Sequence, residues 1–396
     1  MIIEPSKRVE GVEEYYFSRK LAEVRKLDTP EYPVINLGIG SPDLPPAPAV
    51  IETLMVSAMQ AGHHGYQSYR GVAALRNAIA SFSERVYGTV LNAETMILPL
   101  MGSKEGIMHI SMAFLNEGDE VLVPDPGYPT YAAAARLAGA TVRTYDLSEE
   151  NDWRVDIQSL RKQDLSNVKI MWLNSPHMPT GATASVNELK ELVTLAREHQ
   201  FLLVNDNPYS LILNDTPISL LSVDGALEVA LELNSLSKSH NMAGWRVGWV
   251  AGRKEYIDAI LRFKSNMDSG MFLAVQHAAA EALRSAGEWT KSLNTIYRKR
   301  RQVVYELLNE LRCTYTLTQA GLFVWAKAPD DVPAVEQWLD EILYEAHVFI
   351  TPGFVFGKNG GRYIRVSLCN PEEQIQEAVK RISAMKIVKQ KQVSAA

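Results

Sequence analysis

The sequence predicts an α/β fold with two domains. The large one has a mainly parallel seven-stranded sheet sandwiched by helices, and the smaller one is α+β. Between residues 50 and 283, short apolar runs alternate with helical patterns, which is typical of parallel strands joined by crossover helices. After about residue 311 the pattern changes to a few strands and two helices. We expect residues 45–285 to form the large domain, and residues 1–44 and 286–396 to form the small one.

Seven apolar runs are the candidate strands of the large sheet. Several are almost entirely apolar, as expected for strands buried on both faces. They lie at 95–98, 120–123, 141–145, 170–174, 201–205, 229–233 and 247–251. The apolar spacing predicts helices at 71–87, 104–114, 129–138, 186–199 and 254–264.

The remaining elements belong to the two ends of the chain. A first helix is predicted at 12–26, before a Pro- and Gly-rich stretch at 33–48, so it can pack with either domain. A long helical stretch covers about residues 273–311. It is followed by predicted strands at 323–326, 348–351 and 363–367 and by predicted helices at 333–346 and 371–385.

Composition excludes several classes of function. The 396 residues include 40 Lys and Arg against 46 Asp and Glu, and the net charge of −6 argues against nucleic acid as a partner. Two cysteines, Cys313 and Cys369, are too few for a disulfide framework and favour a reducing compartment. No run approaches the roughly 18 apolar residues of a membrane span, and the N-terminus does not resemble a signal peptide. We expect a cytoplasmic protein with no membrane partner.

Polar residues follow several predicted strands, where ligands collect in open parallel sheets. Gly102-Ser103-Lys104 lies between an apolar run and a helix, so free backbone N–H groups favour a phosphate there, although Ser103 is alternatively a helix N-cap. Asp206 ends the run FLLVND and alone would more often be a turn residue. Lys238 ends another run, an unusual place for a surface lysine, and Arg246 opens the next.

Together these residues indicate pyridoxal phosphate as the cofactor. This cofactor needs an amine for a covalent link, an anion beside its ring nitrogen, donors for its phosphate and a flat side chain on its ring. Lys238, Asp206, the 102–104 segment and Tyr128 supply these groups in that order.

Over nearly its whole length the chain resembles the fold type I, class I/II aminotransferases, and it leans toward their alanine and LL-diaminopimelate aminotransferase branch. The order and spacing of the motifs agree throughout. They are LGIGSPD at 37–43, Tyr66 before Arg70-Gly71, PDPGYPTY at 124–131, SPHMPTG at 175–181, DNPY at 206–209, SLSKSHNMAGWRVGW at 235–249 and YIRVS at 363–367.

The resemblance implies a role for each cofactor-binding residue. Lys238 would hold the cofactor covalently and, once displaced by substrate, would move the proton at the substrate Cα. Asp206 would pair with the ring nitrogen, Tyr209 would hydrogen-bond the phenolic oxygen, and Tyr128 would stack on the ring. The phosphate would be bound by Gly102, Ser103, Lys104, Ser235, Ser237 and Arg246.

The resemblance also implies the substrate and subunit contacts. Arg365 would bind the substrate α-carboxylate as a bidentate fork, and Gly40 would let the backbone approach the same carboxylate. Tyr15 lies on the predicted first helix, whose aromatic residues would more often pack in the core, although similar enzymes use this region as a lid over the active site. Tyr66 would reach the phosphate of the partner subunit, which implies a homodimer with shared active sites. No metal site is expected, because the histidines lack ligand spacing.

Two departures from the family pattern concern substrate and cofactor contacts. Met178 stands where the family has an asparagine that contacts the cofactor and the substrate carboxylate, and methionine has no hydrogen to donate. We expect its neighbour His177 to face solvent. Residues 263–269, where some members carry an arginine for a second substrate carboxylate, read FKSNMDS, with only Lys264 nearby.

The implied activity is transfer of an amino group from an L-amino acid to a 2-oxo acid by a ping-pong route. The same scaffold hosts carbon–sulfur lyases and other enzymes that form a carbanion at Cα, so a lyase is the alternative. A non-enzymatic effector sensor is a remote third reading. It would carry an added N-terminal DNA-binding module, whereas the aminotransferase motifs begin close to residue 1 here.

Overall fold

A computed structural model of the chain describes residues 3–10 and 16–385. Its strands are β1 Ile35–Asn36, β2 Ile97–Leu100, β3 Glu120–Asp125, β4 Thr141–Asp146, β5 Val168–Asn174, β6 Leu202–Asp206, β7 Ala230–Ser235, β8 Gly248–Gly252, β9 Thr314–Tyr315, β10 Phe323–Lys327, β11 Val348–Phe349, β12 Thr351–Pro352 and β13 Tyr363–Ser367. Its α-helices are α1 Lys7–Glu10, α2 Tyr16–Leu27, α3 Pro48–Ala58, α4 Ala73–Tyr87, α5 Ser103–Phe114, α6 Thr130–Leu137, α7 Ile157–Leu160, α8 Val186–His199, α9 Ala226–Val229, α10 Leu236–Ser239, α11 Lys254–Lys264, α12 Leu273–Arg284, α13 Ala286–Glu310, α14 Val335–Ala346 and α15 Glu372–Ala384.

The predicted seven-stranded sheet is confirmed, with strand order β2-β8-β7-β6-β5-β3-β4. Strand β8 runs antiparallel to both of its neighbours, and the other pairs in the sheet are parallel. Strand β2 lies two residues beyond the predicted run and includes Pro99. Proline lacks a backbone N–H, and it is tolerated here because β2 is an edge strand.

Helices cover both faces of this sheet. Along β5, Ile170 and Trp172 point into the core below α5, α6 and α11, whereas Met171 and Leu173 join the core below α4, α8 and α12. This alternation follows the period of two in a strand and explains why the run is apolar throughout. The sequence pattern did not predict helix α3, because three prolines lie at or just before its start. Pro48, in its first turn, is nevertheless compatible with a helix start.

The smaller sheet has the order β12-β13-β10-β9 and is antiparallel. The prediction of one strand at 348–351 was wrong, because this stretch contributes to two sheets. Strand β11 pairs in parallel with β1, whereas β12 pairs with β13. A strand as short as β1 has no periodicity for sequence reasoning to detect.

The N-terminal segment packs with the C-terminal elements. Phe17, Val24 and Ile35 lie in the same hydrophobic core as the strands of the smaller sheet. The Lys20 ammonium donates to the Asp340 carboxylate on α14 at 2.6 Å. Residues 12–15 of the predicted first helix lie outside the described residues.

The predicted 273–311 stretch is two helices, α12 and α13, which meet at Ser285. Among the described residues, no helix is long and apolar enough to cross a membrane. Both cysteines are buried free thiols.

Candidate active site

A cavity of about 740 Å³ lies where β6 and β7 end and α5 begins. This is within the range of small-molecule and cofactor sites. Eleven of the residues singled out from the sequence line it: Gly40, Ser103, Lys104, Tyr128, Asp206, Tyr209, Ser235, Ser237, Lys238, Arg246 and Arg365.

One end of the cavity presents groups that could hold a phosphate. Helix α5 begins at Ser103, so its first backbone N–H groups have no partner within the helix. Gly102 occupies the N-cap position with φ 91°, so Ser103 is the first residue of the helix and not its cap. A Cβ on Gly102 would meet the Arg246 guanidinium at 2.1 Å, which explains the glycine. Lys104 and Arg246 add two positive charges.

Two serines close this end of the cavity. The Ser235 hydroxyl accepts a hydrogen bond from the Ser237 backbone N–H at 3.1 Å and lies 2.9 Å from the Ser237 hydroxyl. Ser235 is the last residue of β7 and Ser237 lies on the short helix α10, so the turn between them is held in one conformation. This turn also fixes Lys238, the next residue.

Asp206, the last residue of β6, lies deep in the cavity with one carboxylate oxygen unsatisfied. Its Oδ2 accepts a hydrogen bond from the Tyr131 hydroxyl at 2.9 Å, whereas Oδ1 is buried without a partner. Burial raises the pKa of Asp206 to about 7, against the opposing effect of the Tyr131 hydrogen bond. A buried acceptor without a donor is costly, and a ligand N–H would satisfy it. This geometry fits the ring nitrogen of pyridoxal phosphate.

Lys238 is held close to the N-terminal segment. Its ammonium donates to the Gly40 carbonyl at 2.5 Å. Burial lowers the pKa of Lys238, and the positive charges of Arg365 and Arg246 lower it further. A lower pKa increases the neutral fraction of the amine, which is the form that attacks a carbonyl and accepts a proton.

Gly40 is a glycine because an aromatic ring packs against it. A Cβ at this position would meet the Phe323 ring at 2.1 Å. The segment is anchored further on by Asp43, whose carboxylate accepts two hydrogen bonds from Arg300 at 2.7 and 2.8 Å. Two contacts therefore explain Gly40 within the LGIGSPD motif. The Phe323 ring packs against the glycine, and the Gly40 carbonyl accepts a hydrogen bond from Lys238.

Arg365 projects from β13 into an aromatic enclosure. Its guanidinium carbon lies 3.9 Å from the Phe323 ring centroid, 4.6 Å from that of Phe356 and 5.8 Å from that of Phe17. One nitrogen, Nη2, donates to the Gly38 carbonyl at 2.7 Å. The other, Nη1, donates to the Met178 sulfur at 3.2 Å. The rings and these contacts fix the plane of the fork.

Met178 is buried in the cavity wall, as the sequence motif implies for this position. The Asn174 side chain positions it by accepting from the Met178 N–H at 2.7 Å and donating to the Asp206 carbonyl at 2.6 Å. The expectation that His177 faces solvent was wrong. It is buried against Thr180, and burial lowers its pKa to about 3.

Tyr128 and Tyr209 both line the cavity; in the sequence, the first precedes Asp206 and the second follows it. Tyr128 packs edge-on against Tyr131, with ring centroids 5.6 Å apart. Burial raises the pKa of Tyr209 well above its ordinary value, so its hydroxyl stays protonated and can donate.

The predicted residue Tyr66 does not line the cavity of this chain. Tyr66 is 96% exposed, near the bridge that pairs Gln67 with Gly270. Tyr15 lies outside the described residues.

Sequence reasoning assigned no role to Tyr131, Phe323, Phe356 or Leu21. Tyr131 ends the PDPGYPTY motif, which was the available signal. The others are apolar residues that sequence patterns cannot distinguish from ordinary core residues.

A buried ionic cluster lies behind the phosphate end. The Glu105 carboxylate accepts from the Met101 N–H at 2.5 Å and lies 3.0 Å from the His109 ring, which is also 3.4 Å from Asp268. Three of these side chains have the spacing of a metal site. Lys264, which bonds to Asp268, already supplies a cation there. Lys264 is buried and does not line the cavity of this chain.

Replacing Met178 with asparagine tests the polarity of this wall. The thioether is a weak acceptor with no proton to donate, whereas an amide can donate to a carboxylate held by Arg365. We expect Met178→Asn to tighten binding of unreactive carboxylates about tenfold, the effect of one charge-assisted hydrogen bond. Calorimetry on the cofactor-loaded enzyme measures it. Met178→Leu is the matched control without a donor, and equal affinities in the two variants would contradict this geometry.

Comparisons with known proteins agree with this site. Residues 32–382 match the family model described as aminotransferase class I and II. LL-diaminopimelate aminotransferase from Dehalococcoides mccartyi is 39% identical over 386 residues, which cover 96% of this chain and 98% of that protein. The enzyme of that name from Oleidesulfovibrio alaskensis is 39% identical over 89% of this chain and 91% of its own length.

Solved structures show the same architecture. Substrate-bound BacF from Bacillus subtilis aligns with a TM-score of 0.91 and 36% identity, covering 97% of this chain and 98% of that one. A mutant aspartate aminotransferase from Thermus thermophilus aligns with a TM-score of 0.90 and 27% identity, covering 96% and 99%. The chain therefore belongs to the class I and II aminotransferases, a family that uses pyridoxal phosphate, and it is an enzyme that transfers amino groups.

Proposed function

We propose that pyridoxal phosphate binds in this cavity and that Lys238 holds it covalently. The observation that carries the proposal is the unsatisfied Oδ1 of Asp206, which lies in the same cavity as the N-terminus of α5 and the amine of Lys238. Anion, amine and phosphate donors are the three groups this cofactor requires. Tyr209 donates to its phenolic oxygen and Tyr128 packs on its ring.

The chain's own residues then divide the work of amino-group transfer. Pyridoxal phosphate, when bound, withdraws electrons from the bonds at the substrate Cα. Lys238 would take the Cα proton as its neutral amine and would give it to the cofactor carbon that carries the amino group, which restores the neutral amine. Its lowered pKa favours this role. Burial raises the pKa of Asp206 to about 7, and a protonated ring nitrogen beside Oδ1 would hold the carboxylate ionised. Tyr131 holds the carboxylate in place through its hydroxyl.

Arg365 binds the carboxylate that an L-amino acid and a 2-oxo acid have in common. Its guanidinium is planar and buried, which suits two parallel hydrogen bonds to a carboxylate. Because both substrates present the same group, they occupy the site in turn, as a ping-pong route requires. The carbon–sulfur lyase alternative differs in its products, ammonia among them.

Borohydride reduction tests the covalent assignment. Reduction of the loaded enzyme makes a cofactor–lysine link permanent, and peptide mass mapping locates it. We expect the added mass on the peptide that contains Lys238. A label on Lys104, the other lysine in the cavity wall, or no label at all would contradict the proposal.

We further propose a homodimer in which Tyr66 reaches the phosphate end of the partner's cavity. Tyr66 is almost fully exposed. Met55 and Val56 on α3, together with Met59 directly after it, present an apolar surface. These three line a groove of about 680 Å³. Apolar patches of this kind mark interaction surfaces.

Two buried free thiols are compatible with the predicted cytoplasmic location.

Mixing two inactive variants tests the shared site. In a hybrid of Tyr66→Phe and Lys238→Ala subunits, one site has both lesions and the other has none. We expect each variant alone to be strongly impaired, and an equal mixture after subunit exchange to regain about a quarter of wild-type activity. Tyr69→Phe, which alters a neighbouring exposed tyrosine, is the control. A fully active monomer in light scattering, or mixtures that stay inactive, would refute the shared site.

A further inference from the structure

We infer that the amino acid this enzyme accepts has an uncharged, apolar side chain. The inference rests on the proposed function, because it takes Arg365 as the anchor of the substrate α-carboxylate. It differs from the activity named for the curated relatives, since LL-diaminopimelate carries a second ammonium and a second carboxylate.

The first argument is the charge inventory of the cavity. Among the described residues that line it, the charged ones are Lys104, Asp206, Lys238, Arg246 and Arg365. Each already has a place, at the phosphate, the ring nitrogen, the covalent link or the α-carboxylate. No charge in this lining is left for a distal carboxylate or ammonium, and burying such a group without a partner is strongly unfavourable.

The second argument is the apolar wall around Arg365. Phe17 and Leu21 lie one helical turn apart on α2, so both point to the same side of that helix. Two further rings complete the wall. Phe323 lies on β10 of the smaller sheet, and Phe356 ends the short helical turn Gly353–Phe356. The rings of Phe17, Phe323 and Phe356 surround the Arg365 guanidinium. A substrate whose carboxylate is bound by this guanidinium therefore extends its side chain beside these rings.

The third argument is that two neutral polar side chains of the lining, those of Asn174 and Tyr131, are already engaged. Both polar atoms of the Asn174 side chain are used, one by Met178 and one by the Asp206 carbonyl. The Tyr131 hydroxyl is used by Asp206. The wall facing the substrate side chain therefore favours leucine, methionine or phenylalanine.

The test is a single-turnover half-reaction of the cofactor-loaded enzyme without a 2-oxo acid acceptor. Formation of the 2-oxo acid is followed for L-phenylalanine, L-leucine, L-methionine, L-glutamate, L-aspartate and LL-diaminopimelate. We expect the second-order rate constants of the first three to exceed those of the last three by about tenfold or more. Because the assembled enzyme is used, any contribution of a partner subunit is included.

A binding measurement supports the kinetic one without relying on turnover. Calorimetry on the loaded enzyme is expected to show 3-phenylpropionate binding about tenfold more tightly than glutarate, which has a second carboxylate. Equal or reversed affinities would overturn the inference.

Two variants assign the preference to the wall. Phe17→Ala is expected to lower the rate constant for phenylalanine about tenfold and that for L-alanine, whose side chain is too short to reach the wall, less than about threefold. Leu21→Arg adds a cation and is expected to raise the ratio of glutamate to phenylalanine about tenfold. Arg19→Ala, an exposed arginine on the opposite side of α2 from Phe17 and Leu21, is the matched control. Unchanged ratios in both variants would overturn the assignment to this wall.

The outcomes separate the two proposals. An enzyme that forms no 2-oxo acid from any of the six amino acids contradicts the proposed function. An enzyme that reacts fastest with glutamate, aspartate or LL-diaminopimelate retains that function and overturns the substrate class.

Discussion

Lys238→Ala is expected to lower kcat by at least about 10³-fold, because it removes both the covalent anchor and the base that moves the Cα proton. The fold is expected to survive. The lysine lies at the cavity wall, and its hydrogen bond goes to a backbone carbonyl rather than into a buried ion pair. Steady-state rates measure the loss, and circular dichroism checks the fold.

The cofactor is expected to remain partly bound in this variant, because the phosphate contacts do not depend on the lysine amine. Lys264→Ala is an unsuitable control, since that lysine is buried beside Asp268. Lys254→Ala removes an exposed lysine and leaves the cavity unchanged. Full activity in Lys238→Ala would contradict the assignment of this residue.

Asp206→Ala is the second large expected effect, a loss of about 10²-fold or more in kcat. Without the carboxylate, the ring nitrogen has no buried anion to keep it protonated, and it withdraws electrons poorly. Asp206→Asn keeps the size of the side chain and removes its charge, so it separates electrostatics from packing. We expect both variants to be impaired to a similar degree.

Tyr131→Phe is the control for the local structure around Asp206. It removes the hydrogen bond to Oδ2 and retains the carboxylate. We expect it to lose much less activity than Asp206→Asn, because the charge opposite the ring nitrogen remains. Wild-type rates in both Asp206 variants would contradict the role of this carboxylate.

Residues at the ends of strands could be predicted from the sequence. Asp206 and Ser235 terminate apolar runs, and parallel strands bring their carboxyl ends to one edge of the sheet. Lys238 follows β7 by three residues, so it was placed at the same edge. The large sheet was predictable for the same reason, since long alternations of strand and helix leave a clear pattern.

Contacts between distant segments were not predictable. Tyr131 and Asp206 are 75 residues apart, and no local pattern pairs them. The stretch at 348–351 looks like one strand, because periodicity cannot show that its two ends join different sheets. Gly40 was expected to let the backbone approach a carboxylate, and no pattern in the sequence indicated that the Phe323 ring packs against it.

The most direct test of the central claim is the stoichiometry of one half-reaction. The loaded enzyme is mixed with an excess of a single L-amino acid and no acceptor, and 2-oxo acid and ammonia are measured together. We expect one 2-oxo acid for each active site and no free ammonia, because the amino group stays on the cofactor until an acceptor removes it. Continuous release of ammonia with many products per site would contradict amino-group transfer and indicate a lyase.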